Sequence, residues 1–237
     1  MLLKAVVHQP KYFPYPGFFH KLAKSDVYVI MDNAQYDKRF TNRNRIISTN
    51  GWVWITVPIN KDHKFLPNMY VEINNETPWR ELHWKKIHQS YANAKYFYMY
   101  KDFLEALYKR DWNFLFDLDF HTVKKTIEWL GLKVDVIRES ELNVQGSSTE
   151  RLINACKAVG ADTYISGAGG RNYMDEKLFG KHNIKLEYQN YLPTPYAQRL
   201  AKSFIPHLSI LDLLVNVGPG SHDLITEGGK NIVTLNN

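Results

Sequence analysis

The sequence predicts an α/β fold, a largely parallel sheet with flanking helices and a helical insertion over about residues 78–130. Two observations predict it. Short apolar runs closed by polar residues alternate with helix-length amphipathic stretches, the order of parallel strands joined by crossover helices. The alternation is plainest over 133–188, where strand, helix, strand, helix and strand follow in turn. A long helical tract interrupts it. The 237 residues are expected to form a single domain, 1–237, with 78–130 inserted.

Taken in order, Leu2–Val7 is a short apolar run closed before Pro10, and reads as a buried strand. Lys11–Pro16 is aromatic and proline-rich, an ordered loop. Gly17 opens a helix over Phe18–Lys24, with Phe18, Phe19, Leu22 and Ala23 on one face, and Val27–Met31 is the next strand, completing a βαβ unit. Gly51–Ile59 alternates aromatic and β-branched residues and reads as a strand, and Asn68–Ile73 as a shorter one. Pro78 begins the helical part with Thr77 as its cap. One helical pattern runs from Trp79 to Tyr108 and a second from Asn113 to Leu130, stopped by Gly131. Beyond it, Lys133–Ile137, Thr163–Ser166 and Ile184–Tyr188 read as strands. Ser147–Val159 and Asp175–His182 are the helices between them. Leu208–Val215 is an apolar helix broken at Gly218-Pro219-Gly220, and Ser221–Asn237 is a polar, peripheral tail.

Composition narrows the function classes. The net charge of +6 favours anionic partners, and from Lys38 to Lys61 there is no Asp or Glu beside five cations. The single cysteine, Cys156, excludes an intrachain disulfide, and its apolar surroundings suit an inert buried thiol. With no signal-peptide layout and no membrane span in the sequence, a cytoplasmic protein is expected. A metal site lacks support: His83 and His88 are five apart, off the i,i+4 spacing, and no His-Glu-x-x-His occurs.

Three constellations carry possible chemistry. His8-Gln9-Pro10, with His20 and Lys21, follows the first strand, and a histidine there is an available acid, base or phosphate donor. Gln35-Tyr36-Asp37-Lys38-Arg39 and Asn42-Arg43-Asn44-Arg45 follow the second. Their guanidinium forks suit phosphate or carboxylate, and their asparagines suit a sugar or base. Gly167-Ala168-Gly169-Gly170-Arg171-Asn172-Tyr173 follows a later strand, where glycines let the backbone approach an anion. The plain alternatives are a core histidine, a solvated loop and a tight turn.

Together these pieces resemble the WbqC-like protein family. The resemblance rests on His8-Gln9-Pro10 with Tyr12, Pro14, Gly17, Lys21 and Asp26, on Gln35-Tyr36 with Lys38-Arg39, and on Asn42-Arg43-Asn44-Arg45-Ile46. It continues through Trp52 to Val57-Pro58, Tyr164, Gly167, Gly170 and Tyr173. It ends with Tyr196, Gln198, Phe204-Ile205-Pro206, Leu208–Leu214, Asn216 and Gly218. Lys11, Tyr15 and Pro16 depart from the family pattern, where Asn, Trp and an aliphatic residue are expected.

The resemblance implies an enzyme of surface-polysaccharide or lipopolysaccharide O-antigen biosynthesis, a transferase of acyl or aminoacyl groups to a nucleotide-linked amino sugar. In that reading His8 is the general base, assisted by Asp37 or Asp212. Lys38, Arg39, Arg43 and Arg45 hold the diphosphate, and Tyr12 or Tyr36 packs on a ring. Gln9, Gln35, Asn42, Asn44, Gly167, Gly169, Gly170, Arg171 and Tyr173 complete the binding set. No cofactor is identified, and the acyl or aminoacyl donor is left open. Two other classes stay open: a tRNA-binding or aminoacyl-tRNA-using protein, and a non-catalytic scaffold of a glycan-assembly complex.

Overall fold

The computed structural model describes residues 2–38 and 41–227. Its strands are β1 (Lys4–His8), β2 (Val27–Ile30), β3 (Arg43–Ser48), β4 (Gly51–Thr56), β5 (Asp135–Arg138), β6 (Thr163–Ser166) and β7 (Lys185–Tyr188). Its helices are α1 (Pro16–Leu22), α2 (Trp79–Tyr91), α3 (Tyr98–Lys109), α4 (Leu115–Trp129), α5 (Ser148–Ala158), α6 (Glu176–Lys181), α7 (Ile210–Val217) and α8 (Ser221–Thr226).

Five strands form one parallel sheet in the order β5-β2-β1-β6-β7. Counted along the sheet's own strands this is 3-2-1-4-5, the doubly wound order, and the chain reverses direction across the sheet between β1 and β6. The two strands flanking that reversal pair only at Lys4–Thr163 and Ala5–Tyr164, whereas β1 and β2 pair from Ala5–Val27 through His8–Ile30. β1 and β6 therefore part toward their carboxyl ends, and His8 and Gly167 stand on either side of the gap.

Strand periodicity divides the core. Val6, Tyr28, Ile30 and Ile165 face a large cluster that takes in α1, the helices α2–α4 and α7. Ala5, Val7, Val27, Val29 and Tyr164 face a smaller one with α5 and α6. Both faces are covered, which is why these strands read as continuous apolar runs. Cys156 belongs to the second cluster, and burial pushes its thiol up to about 12.

Several sequence expectations are corrected. The stretch after β2 left without an element includes a strand: β3 pairs antiparallel with β4 in a separate hairpin, with Arg45 opposite Trp54. Arginine and asparagine are poor strand formers. Here the guanidinium of Arg43 lies 4.5 Å over the Trp54 ring and that of Arg45 5.0 Å over Trp52, so cation–π contacts support the exposed face. The interruption between β2 and β5 thus begins well before residue 78. Asn68–Ile73 is not a strand but a 3-10 turn over Asn68–Tyr70, followed by an isolated bridge from Ile73 to Ile59.

The Trp79–Tyr108 pattern is two helices. Between them the amide of Tyr96 donates to the carbonyl of Val215 at 2.9 Å, tying the break to α7. The helix at Pro78 has no side-chain cap, so Thr77 does not serve as one. Ser221–Thr226 is not peripheral either: it forms α8, whose Ile225 is fully buried in the large cluster. The rest of the expected tail, 228–237, lies outside the described residues.

Candidate functional site at the sheet's switch point

β1 ends at His8. Its Nδ1 lies 2.9 Å from the carbonyl of Gln9, which can only accept, so the proton sits on Nδ1 and Nε2 is left as an acceptor. Burial holds the imidazole well below its ordinary pKa, and the charges of Lys21 and Lys11 add to this, so the ring is neutral. Neither Asp37 nor Asp212 is among the charges acting on it.

Lys21 is placed by α1. That helix is buried all round, from Pro16 to Leu22, so it has no wet face on which to put a charge. Burial and Lys11 lower the Lys21 ammonium from 10.5 to about 7, and no ion pair joins it to a carboxylate among the described residues. Next to it His20 is structural. Its Nδ1 accepts from Gln189 Nε2 at 2.7 Å, and burial lowers it to about 4. The same Gln189 nitrogen donates to the carbonyl of Gly17 at 2.6 Å, fastening α1 to the end of β7.

The other strand ends are braced by ion pairs. The fully buried Asp32, after β2, accepts from Arg138 Nε at 2.8 Å and from the Ser140 amide and hydroxyl at 2.9 and 2.6 Å. Arg151 grips Glu139 through both carboxylate oxygens, at 2.6 and 2.8 Å. Neither pair showed itself in the sequence: Asp32 and Arg138 lie 106 residues apart, and Glu139 and Arg151 sit on different elements 12 residues apart.

The expected binding residues separate into groups. Tyr12 is fully buried, and its hydroxyl meets Tyr108 and His83, so its ring is core and not a platform. Tyr36 is buried and raised to about 12 by burial and then by the charge of Asp119. Gln35 is exposed and bridged through its backbone to Pro67, Asp37 is half-buried, and Lys38 is exposed. Arg39 lies outside the described residues.

Asn42 donates to the carbonyl of Val57 at 2.7 Å and Asn44 to that of Phe13 at 2.6 Å, so both amides fasten the hairpin. Arg43 and Arg45 stack on tryptophans, and Arg45 also donates to the carbonyl of His207 at 3.0 Å. Asp212 is buried on α7, where it accepts from Tyr196 at 2.8 Å and Gln198 at 2.7 Å. It organises the region before α7.

Across the gap, Gly167 and Gly169 have no steric need to be glycine. A Cβ on either would meet nothing within 4 Å, and neither has a positive φ. Gly170 differs, because a Cβ there would run into Ser166 Oγ and Met174 Cε. Arg171 and Tyr173 are exposed, with the Arg171 guanidinium 4.0 Å over the Tyr188 ring.

The structure thus brings His8, Gln9, Lys11 and Lys21 together on one side of the switch point, opposite Gly167 and Gly169. Lys21 is buried here, whereas Arg43 and Arg45 lie over tryptophans of the hairpin. Lys21 was legible as a residue, but its depth was not. The available signal for Lys21 was its position in a helix too apolar to expose it.

Among the described residues no helix is long and apolar enough to cross a membrane. No solved structure matches the chain. The uncharacterized protein Rv1507c of Mycobacterium tuberculosis (strain ATCC 25618 / H37Rv) is 31% identical over 224 residues, which are 94% of this chain and 97% of that protein. The model of the WbqC-like protein family matches residues 9–223, through the strand ends, the hairpin and α7 just described, and the chain belongs to that family.

Proposed function

We propose that this protein is a transferase that moves an acyl or aminoacyl group onto a nucleotide-linked amino sugar in bacterial surface-polysaccharide assembly, acting in the cytoplasm. The observation that carries this reading is the buried cationic group at the switch point. Lys21 has no carboxylate partner among the described residues and is held down to about 7. Burying an ammonium that way is costly unless an anion sometimes shares the space. Doubly wound sheets bind the phosphates of nucleotides at this location. The open backbone at Gly167 and Gly169 supports the same reading, since a side chain there would stand in the way of a close approach.

In this scheme Lys11 and Lys21 hold the phosphates, with Lys38 and Arg43 at the periphery. The amine nitrogen of the sugar attacks the carbonyl carbon of the donor. A C–N bond forms, the bond to the donor's leaving group breaks, and the amine proton passes to His8 Nε2. A bound anion offsets the two lysine charges that depress His8, so the ligand itself makes the base stronger. Calorimetry with UDP-sugars and thermal-shift panels of acyl donors test the reading. His8→Ala is expected to abolish turnover and leave nucleotide-sugar binding in place; undiminished turnover would remove His8 from the mechanism.

One observation favours a second reading, a tRNA-using protein. The Arg43–Trp54 and Arg45–Trp52 pairs share one face of the hairpin, and Trp52 is 41% exposed. Such a face suits an RNA backbone with unstacked bases. Filter binding of tRNA that falls steeply with salt supports it, and salt-insensitive or absent binding excludes it.

A further inference from the structure

Buried polar groups are nearly always hydrogen-bonded, so a carboxyl with neither oxygen paired demands a cause. Asp119, on α4, has none of its surface exposed, and neither oxygen has a hydrogen-bond partner among the described residues. Its position follows Leu115 and precedes Val123 at helical spacing, on the stripe that packs the core. An apolar residue there would stabilise the fold; the acid does the reverse.

The surroundings of Asp119 are the site. Burial holds the Asp119 carboxyl well above its ordinary range, and the charge of Lys11, which also acts on His8 and Lys21, pulls the other way. The charge of Asp119 acts in turn on the hydroxyls of Tyr12, Tyr28 and Tyr36. Tyr28 donates to the carbonyl of His8 at 3.3 Å, which places this group at the end of β1.

Two more orphaned acceptors border the same strand ends. Gln9 Oε1 and Asn68 Oδ1 are buried without partners among the described residues. The Asn68 amide nitrogen donates to the carbonyls of Met31 and Ala34 at 3.1 and 2.9 Å, just past β2, and α4 packs on the turn that carries Asn68. Asp119, Gln9 and Asn68 thus carry unpaired acceptor oxygens on α4, just past β1 and on the turn after β2.

We infer that Asp119, together with Gln9 and Asn68, is the acceptor cradle that takes the O–H or N–H donors of a sugar ring, while Lys11 and Lys21 take its anionic portion. This rests on the proposed nucleotide-sugar reading and adds the part of the site that recognises the sugar.

The test compares UDP, UDP-glucose and UDP-glucosamine by calorimetry on the wild type, Asp119→Asn and Asp119→Leu, with melting temperatures of the unliganded proteins. The wild type is expected to bind the sugar nucleotides about tenfold tighter than UDP, the size of one hydrogen bond. Both variants are expected to lose that increment, keep their UDP affinity and melt higher. A loss confined to UDP-glucosamine identifies an ammonium as the recognised donor; an equal loss identifies hydroxyls. No sugar increment in the wild type, or one retained in the variants, overturns the inference and leaves the nucleotide reading standing. Absent UDP binding sinks that reading and this one with it. Melting temperatures lowered in both variants show that the carboxyl is satisfied within the fold by buried water only, which also overturns the cradle.

Discussion

Replacing Lys21 by methionine keeps the length of the side chain and removes the buried ammonium. An amine held at about 7 instead of 10.5 costs the fold on the order of 4 kcal/mol at pH 7, at about 1.4 kcal/mol for each tenfold. Some of this returns as imperfect packing of the thioether, so Lys21→Met is expected to stabilise the protein by about 2–4 kcal/mol. For a chain this long that raises the melting temperature by on the order of 8 °C.

The pH dependence isolates the cause. The folded pKa of Lys21 lies below the unfolded one, so between about 7 and 10.5 the unfolded chain holds a proton that the folded chain has released. Wild-type stability relative to Lys21→Met therefore rises with pH in that window, by up to about 1.4 kcal/mol per pH unit, and is flat below pH 7. Urea denaturation of both proteins at several pH values from 6 to about 10 reads the difference directly. A variant less stable than wild type, or a gap that does not close as pH rises, refutes the claim that Lys21 is a strained buried cation. The anion site would fall with it.

Other consequences are separately measurable. Inorganic pyrophosphate should bind with proton uptake near pH 7.5, because an anion beside Lys21 restores its charge; calorimetry in buffers of different ionisation enthalpy reads the proton count, and release in place of uptake contradicts the assignment. Glu139→Gln leaves the Arg151 guanidinium without its bidentate partner and should cost about 2–4 kcal/mol in urea denaturation. Gly170→Ala forces a Cβ onto Ser166 and Met174, whereas Gly169→Ala meets nothing within 4 Å. The first should destabilise by about 1–3 kcal/mol. The second should leave the melting temperature unchanged while weakening nucleotide binding.

The legible part of this chain was what depends on local pattern. The strands around Val6, Val29 and Ile165 announced themselves because both faces of a parallel sheet are covered, so the runs are continuously apolar. Gly131 and Asp175 marked helix boundaries, and Asp175 does accept from the Leu178 amide at 3.2 Å. The hairpin strand Arg43–Ser48 was missed because its residues have poor strand propensity and depend on tryptophans on the neighbouring strand. The break between α2 and α3 was missed because its cause, the carbonyl of Val215, is distant in sequence.

The sequence by itself determined the fold class and the strand end at which His8 stands, since both follow from hydrophobic periodicity and chain order. Only the tertiary structure decided which polar residues near that end are available. Asn42, Asn44, Tyr12 and Asp212 resemble ligand-binding residues in the sequence and are taken up by hydrogen bonds inside the fold. Lys21 and Asp119 look like ordinary charges and turn out to be buried, the one on a helix with no wet face, the other on the core-facing stripe of α4. Desolvation and neighbouring charge set a side chain's chemistry, and both come from segments that meet only when the chain has folded.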